Sequence, residues 1–133
     1  MVTTVAVKPR EIRVLPRGNF LDDSGPVVEP AIPAFMGKLD TGGRRATRLD
    51  LANWIVSPTN PLTARVFVNR AWREFFGIGL VKTLDDFGSQ GELPVNQDLL
   101  DWLAAEFMEH WDVRHVLRTI VMSHTYRQTS QAT

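Results

Sequence analysis

The sequence predicts a mainly α protein, with about four helices in a small orthogonal or antiparallel bundle and an extended Pro/Gly-rich N-terminal arm or short hairpin ahead of them. Three observations lead there. Apolar residues recur at helical spacing in successive stretches after residue 44. Proline and glycine punctuate the first forty residues too densely for a long helix. Short polar joints separate the periodic stretches. The expected organisation is an arm with short strands over 1–43 and a helical domain over 44–133.

A chain of 133 residues is long enough for one core. Fifteen basic side chains balance fifteen acidic ones, whereas nucleic-acid modules normally carry a basic excess, so composition argues against nucleic acid as partner. There is no cysteine, which excludes disulfides, thiolate metal sites, a cysteine nucleophile and c-type haem attachment within this chain. No run of about 18 apolar residues is present, so no membrane span is expected. The first ten residues lack the charged start and apolar core of a signal peptide.

In the arm, Glu11-Ile12-Arg13-Val14-Leu15 alternates polar and apolar side chains, a short strand signal. Pro16-Arg17-Gly18-Asn19 and Asp22-Asp23-Ser24-Gly25 read as turns, with Val27-Val28-Glu29 extended after them. The paired aspartates lack the alternating oxygen ligands of a calcium loop. Thr41-Gly42-Gly43-Arg44-Arg45 is a joint, without the spaced glycines and Gly-Lys-Ser/Thr ending of a phosphate loop.

The first helix is expected over 45–56, with Leu49, Ala52, Ile55 and Val56 on one face. Ser57-Pro58-Thr59-Asn60-Pro61 stops it, because the residue before proline avoids helical geometry. The second runs from Pro61 to Phe76 and ends at Gly77, a residue suited to the left-handed terminal conformation. Ala64, Phe67, Val68, Ala71 and Phe75 form its core stripe, and Arg65, Asn69, Trp72 and Arg73 lie on another side. Asn96 should cap the third helix, with Asp98 facing its positive end. His110-Trp111 ends that helix. Asp112 caps a fourth bearing Val113, Val116, Leu117, Ile120, Val121 and His124.

Arg65, Asn69, Arg73 and Asp86 are the candidate ligand-binding residues, because a guanidinium fork suits carboxylates and other anions. The competing and favoured reading is that they tie loops to the second helix through Asp85, Asp86 or free carbonyls, since buried polar groups demand partners in any case. Asp86-Phe87-Gly88 matches the kinase magnesium triplet without any other kinase motif, so Phe87 is expected to pack while an aspartate caps a turn. His110, His115 and His124 match no zinc spacing. Glu106 and His110 form an i, i+4 pair that could bind metal or be a simple salt bridge. No serine sits in a nucleophile elbow, and no catalytic residues can be named. The third and fourth helices outline a helix-turn-helix, a DNA-binding alternative opposed by the neutral charge.

Several segments together carry a resemblance: Leu51 to Trp72, Phe76 to Gly88, Leu99 to Phe107 and Ile120 to Arg127, with Leu15 to Asp22 and Val28 to Phe35 in the arm. In that order they resemble the planctomycete cytochrome c-associated domain of unknown function. The resemblance implies a C-terminal region of a large protein, periplasmic or otherwise exported, that carries c-type haem in upstream domains. No cofactor is then expected in this chain, and its partner is the remainder of its own longer polypeptide. The family's domain continues past Thr125-Tyr126-Arg127, so the chain is expected to be a fragment whose missing helices would cover apolar surface. The expectation is a non-catalytic structural or binding module. The alternative is part of an enzyme, such as a polysaccharide-related hydrolase, with Arg65, Asn69, Arg73 and Asp86 in a polar pocket.

Overall fold

The computed structural model describes residues 3, 5 and 7–129. Among the described residues the fold is mainly α, as expected: four helices and one small two-stranded sheet. The residues cluster as two units, 1–53 and 54–133.

In the first unit, β1 (Ile12–Arg13) pairs antiparallel with β2 (Val27–Val28), Ile12 opposite Val28 and Arg13 opposite Val27. The hairpin reading of the arm therefore holds. A tight 3-10 turn at Pro16–Gly18 leaves β1, with Gly18 at φ 74°, a conformation that glycine adopts without a Cβ penalty. Gly25 is buried, and a Cβ there would meet the Val14 carbonyl oxygen at 1.9 Å, so the position suits glycine. Ile32 is the buried large apolar side chain of this unit among the described residues.

Helix α1 covers Arg48–Ile55, shorter than the expected 45–56. Its start is set by Thr47 and Asp50: Thr47 N–H donates to Asp50 Oδ2 at 2.7 Å, and Asp50 N–H donates to Thr47 Oγ1 at 3.4 Å. That is the reciprocal arrangement of a capping box, with aspartate in the acidic position. The apolar residues that share one face there are not buried: Leu49, Ala52, Ile55 and Val56 are all exposed. Helical spacing shows which residues share a face, not whether anything covers it.

In the second unit, α2 (Thr63–Phe76), α3 (Gln97–His110) and α4 (Val113–Met122) pack mutually. Asn60 accepts from the N–H groups of Leu62 and Thr63 at 2.9 and 3.1 Å, so it caps the helix that follows Pro61. Gly77, at φ 76°, closes α2 by donating to the Arg73 carbonyl at 2.7 Å. Asn96 and Asp112 cap α3 and α4 as expected, accepting from Leu99 N–H at 3.0 Å and His115 N–H at 3.1 Å. Trp111 turns the chain between them in the left-handed conformation. Helix α4 stops at Met122, so His124 lies beyond it, and Val113 is exposed instead of belonging to the buried stripe.

The core gathers Ala64 and Val68 of α2, Leu80 and Val81 of the following loop, Leu100, Leu103, Ala104 and Phe107 of α3, and Val116 and Ile120 of α4. Phe67 stacks on Phe107 with ring centroids 4.4 Å apart, an offset-stacking distance that couples α2 to α3.

Candidate functional site

Asn69 is fully buried (0% exposed) on α2. Its Oδ1 accepts from Val81 N–H at 2.9 Å, and its Nδ2 donates to the Val81 carbonyl, also at 2.9 Å. The amide thus completes both backbone groups of a buried loop residue that has no strand beside it. Gly79 makes room: a Cβ there would lie 2.8 and 2.9 Å from the Asn69 amide atoms and 2.5 Å from the Val81 oxygen.

Arg65, one turn earlier on α2, donates through Nε to Asp101 Oδ1 at 2.5 Å and through Nη1 to the Pro61 carbonyl at 2.7 Å. Asp101 also accepts from Gln97 Nε2 at 2.8 Å. The Arg65 and Gln97 hydrogen bonds hold the Asp101 carboxyl below the usual carboxylate range. Arg65 lines an open cleft of about 440 Å³ with Leu62, Phe87, Leu93, Pro94 and Gln97.

Arg73 lies on a different recess, of about 330 Å³, beside Arg70, Glu74, Leu84 and Asp85. Arg70, not Arg73, takes the Asp85 carboxylate, at 3.0 Å. Asp86 fastens the loop itself: its Oδ1 accepts from Gly88 N–H at 2.7 Å, and its carbonyl accepts from Thr83 Oγ1 at 2.8 Å. Thr83 Oγ1 in turn accepts from Glu92 N–H at 3.0 Å. Phe87 packs against the core, as expected for the Asp-Phe-Gly triplet.

The four residues singled out from the sequence therefore occupy separate places. Arg65 faces α3, Asn69 is enclosed, Arg73 lines another recess, and Asp86 closes a turn. The sequence reading missed Asp101 and the Val81 backbone as partners. Asp101 carried a usable signal, since it is a carboxylate at the start of α3 four residues after Gln97; a backbone partner carries none.

Glu106 pairs with His115 Nε2 at 2.7 Å and so joins α3 to α4, whereas His110 is 3.9 Å from Glu109. The i, i+4 pairing of Glu106 with His110 gives way because the loop at Trp111 brings His115 back alongside α3. In the first unit, an open cleft of about 640 Å³ includes Lys38, Arg44 and Arg45. Arg44 grips Asp50 with two bonds of 2.6 Å, and Arg45 pairs with Glu29. Hydrogen bonds from Arg44 and Thr47 hold the Asp50 carboxyl well below its ordinary value. Among the described residues, no group of three or more His, Asp or Glu side chains is placed to hold a metal. No described helix is long and apolar enough to cross a membrane.

No buried side-chain polar atom among the described residues is left without a partner. Fold and site together define a helical module whose central polar groups bind one another and the backbone. The chain belongs to the PSD1 family, described as a protein of unknown function (DUF1553), whose family model matches residues 47–133. Comparison with curated proteins and with solved structures gave no match.

Proposed function

We propose that the chain is a non-catalytic structural or binding module of a larger exported, haem-associated polypeptide, and that its partner is the remainder of that polypeptide. The supporting observation is a division within the second unit. The buried or half-buried polar groups of α2 are engaged internally, whereas Ile78, Leu93, Val95, Trp102 and Met122 stand exposed. Scattered exposed apolar residues are ordinary, but side chains as large as these are the material from which docking surfaces are made. A chain without cysteine cannot attach c-type haem itself, so the haem of this reading belongs to other segments. The resemblance carried by the successive segments from Leu15 to Arg127 suggests the exported, haem-bearing context.

An antibody raised against the chain tests the reading on the native source. It should detect a haem-staining species larger than 133 residues in the exported fraction. A haem-free species of 133 residues confined to the cytosol would contradict it.

A further inference from the structure

One wall of the 440 Å³ cleft in the second unit is formed by Leu93 and Pro94. Leu93 is 87% exposed. It precedes proline, and a residue in that position favours extended over helical geometry. The chain is held on both sides of it: Glu92 N–H donates to Thr83 Oγ1 at 3.0 Å, and Val95 N–H donates to the Leu80 carbonyl at 2.8 Å. Between these two ties, the Leu93 N–H and carbonyl have no hydrogen-bond partner among the described residues. A held, extended stretch with unpaired main-chain groups is a template on which another extended segment adds.

The charges around the cleft cancel. Arg65 pairs with Asp101 at 2.5 Å, and Glu92 pairs with Lys82 at 3.5 Å. Asp101 also takes Gln97 Nε2, which leaves Gln97 Oε1 and Arg65 Nη2 without a partner among the described residues. The cleft thus presents open donors and acceptors with no uncompensated charge. A peptide main chain matches that pattern, since each non-proline residue carries one donor and one acceptor. Leu62, Leu93 and Pro94 on the walls favour apolar side chains over charged or hydroxyl-rich ones.

We infer that this cleft binds an extended, uncharged, apolar peptide segment, its main chain paired with Leu93 and one side chain in the cleft. The inference rests on the reading that the chain is a module of a longer polypeptide, and it names that polypeptide as the segment's source. The brevity of the contact argues for a tethered occupant. Pro94 has no N–H, so the pairing stops at Leu93 and holds a free peptide only weakly. Tethering supplies an effective concentration on the order of millimolar, at which so short a contact suffices.

The chemistry is tested by nuclear magnetic resonance titration of the full chain with the peptide acetyl-Ala-Leu-Val-Leu-Ala-amide. The amide signals of Leu93 and Gln97 should shift saturably, with a Kd on the order of 1 mM. The peptide acetyl-Ala-Glu-Val-Glu-Ala-amide should bind at least about fivefold more weakly, as should the apolar peptide to a Leu93→Ser chain. Leu93 is exposed, so this variant keeps the core, and circular dichroism checks it. The source is tested by hydrogen exchange on the larger haem-staining species, in which the Leu93 amide should exchange at least about tenfold more slowly than in the chain alone. Signals that ignore both peptides or respond equally to both would overturn the inference. So would a larger species whose Leu93 amide exchanges as fast as in the chain alone, and either result leaves the module reading standing. Absence of any larger species overturns the module reading instead, and with it the source named here.

Discussion

Asn69 has an amide with one donor side and one acceptor side, facing a backbone group of each kind. A leucine of similar volume would fit the apolar surroundings of α2, but it would leave the Val81 N–H and carbonyl unpaired in the core, at about 1–3 kcal/mol for each group. The residue type is therefore explained by the loop it holds, without reference to a ligand. Gly79 belongs to the same device, because the amide fills the space its side chain would occupy. Gly79→Ala should lower stability by about 3 kcal/mol, measured by urea unfolding, since the neighbours at 2.5–2.9 Å are backbone and a pinned amide. An unchanged midpoint would show that the loop can move aside. From the sequence, Asn69 was recognisable as a polar residue beside a core stripe. Its partner was not, because a main-chain group has no side-chain signature to read.

The helices differ in how much the sequence disclosed, and capping explains much of the difference. Asn96 and Asp112 directly precede periodic stretches, so the starts of α3 and α4 were readable. The start of α1 was misplaced because the Thr47–Asp50 pair, not the Arg44-Arg45 joint, nucleates its first turn. Glu106 found His115 across a loop instead of His110 along its own helix, a choice made by tertiary packing. Between α2 and α3 the tie is Arg65 to Asp101. The folded-state pKa of Asp101 is lowered, so the stabilisation is present above the ordinary carboxylate value of 3.8 and is lost as pH falls below it. Wild type should thus be more stable than Asp101→Asn near neutrality, with the gap closing below about pH 4. Urea unfolding at several pH values measures it. A gap that persisted in acid would remove the ion pair as its cause.

At the scale of the molecule, the second unit has a continuous core built on Val68, Leu100, Leu103, Val116 and Ile120. The first unit buries Ile32 and leaves Phe20, Leu21, Phe35 and Leu49 exposed. An isolated two-stranded hairpin is at best marginally stable in water, so this unit is the natural place for further contacts. Periodicity and breakers made the mainly α fold legible. They did not distinguish buried from exposed apolar faces, which depends on what lies opposite each face. The same limit applied to the candidate site: arginine, asparagine and aspartate types were visible, but convergence on one cleft is a property of three dimensions. The centre of the second unit is α2, with its apolar stripe in the core, Arg65 engaged with α3, and Asn69 and Arg70 engaged with the following loop.

The claim that the buried polar group of α2 is structural is tested most directly by the unfolding free energies of Asn69→Ala and, as the exposed control, Arg73→Ala in the full chain. The expected result is a loss of about 3 kcal/mol for Asn69→Ala, because two buried backbone groups lose their partner. Arg73→Ala, an exposed substitution, should stay within about 0.5 kcal/mol of wild type. An Asn69→Ala chain as stable as wild type would contradict the account.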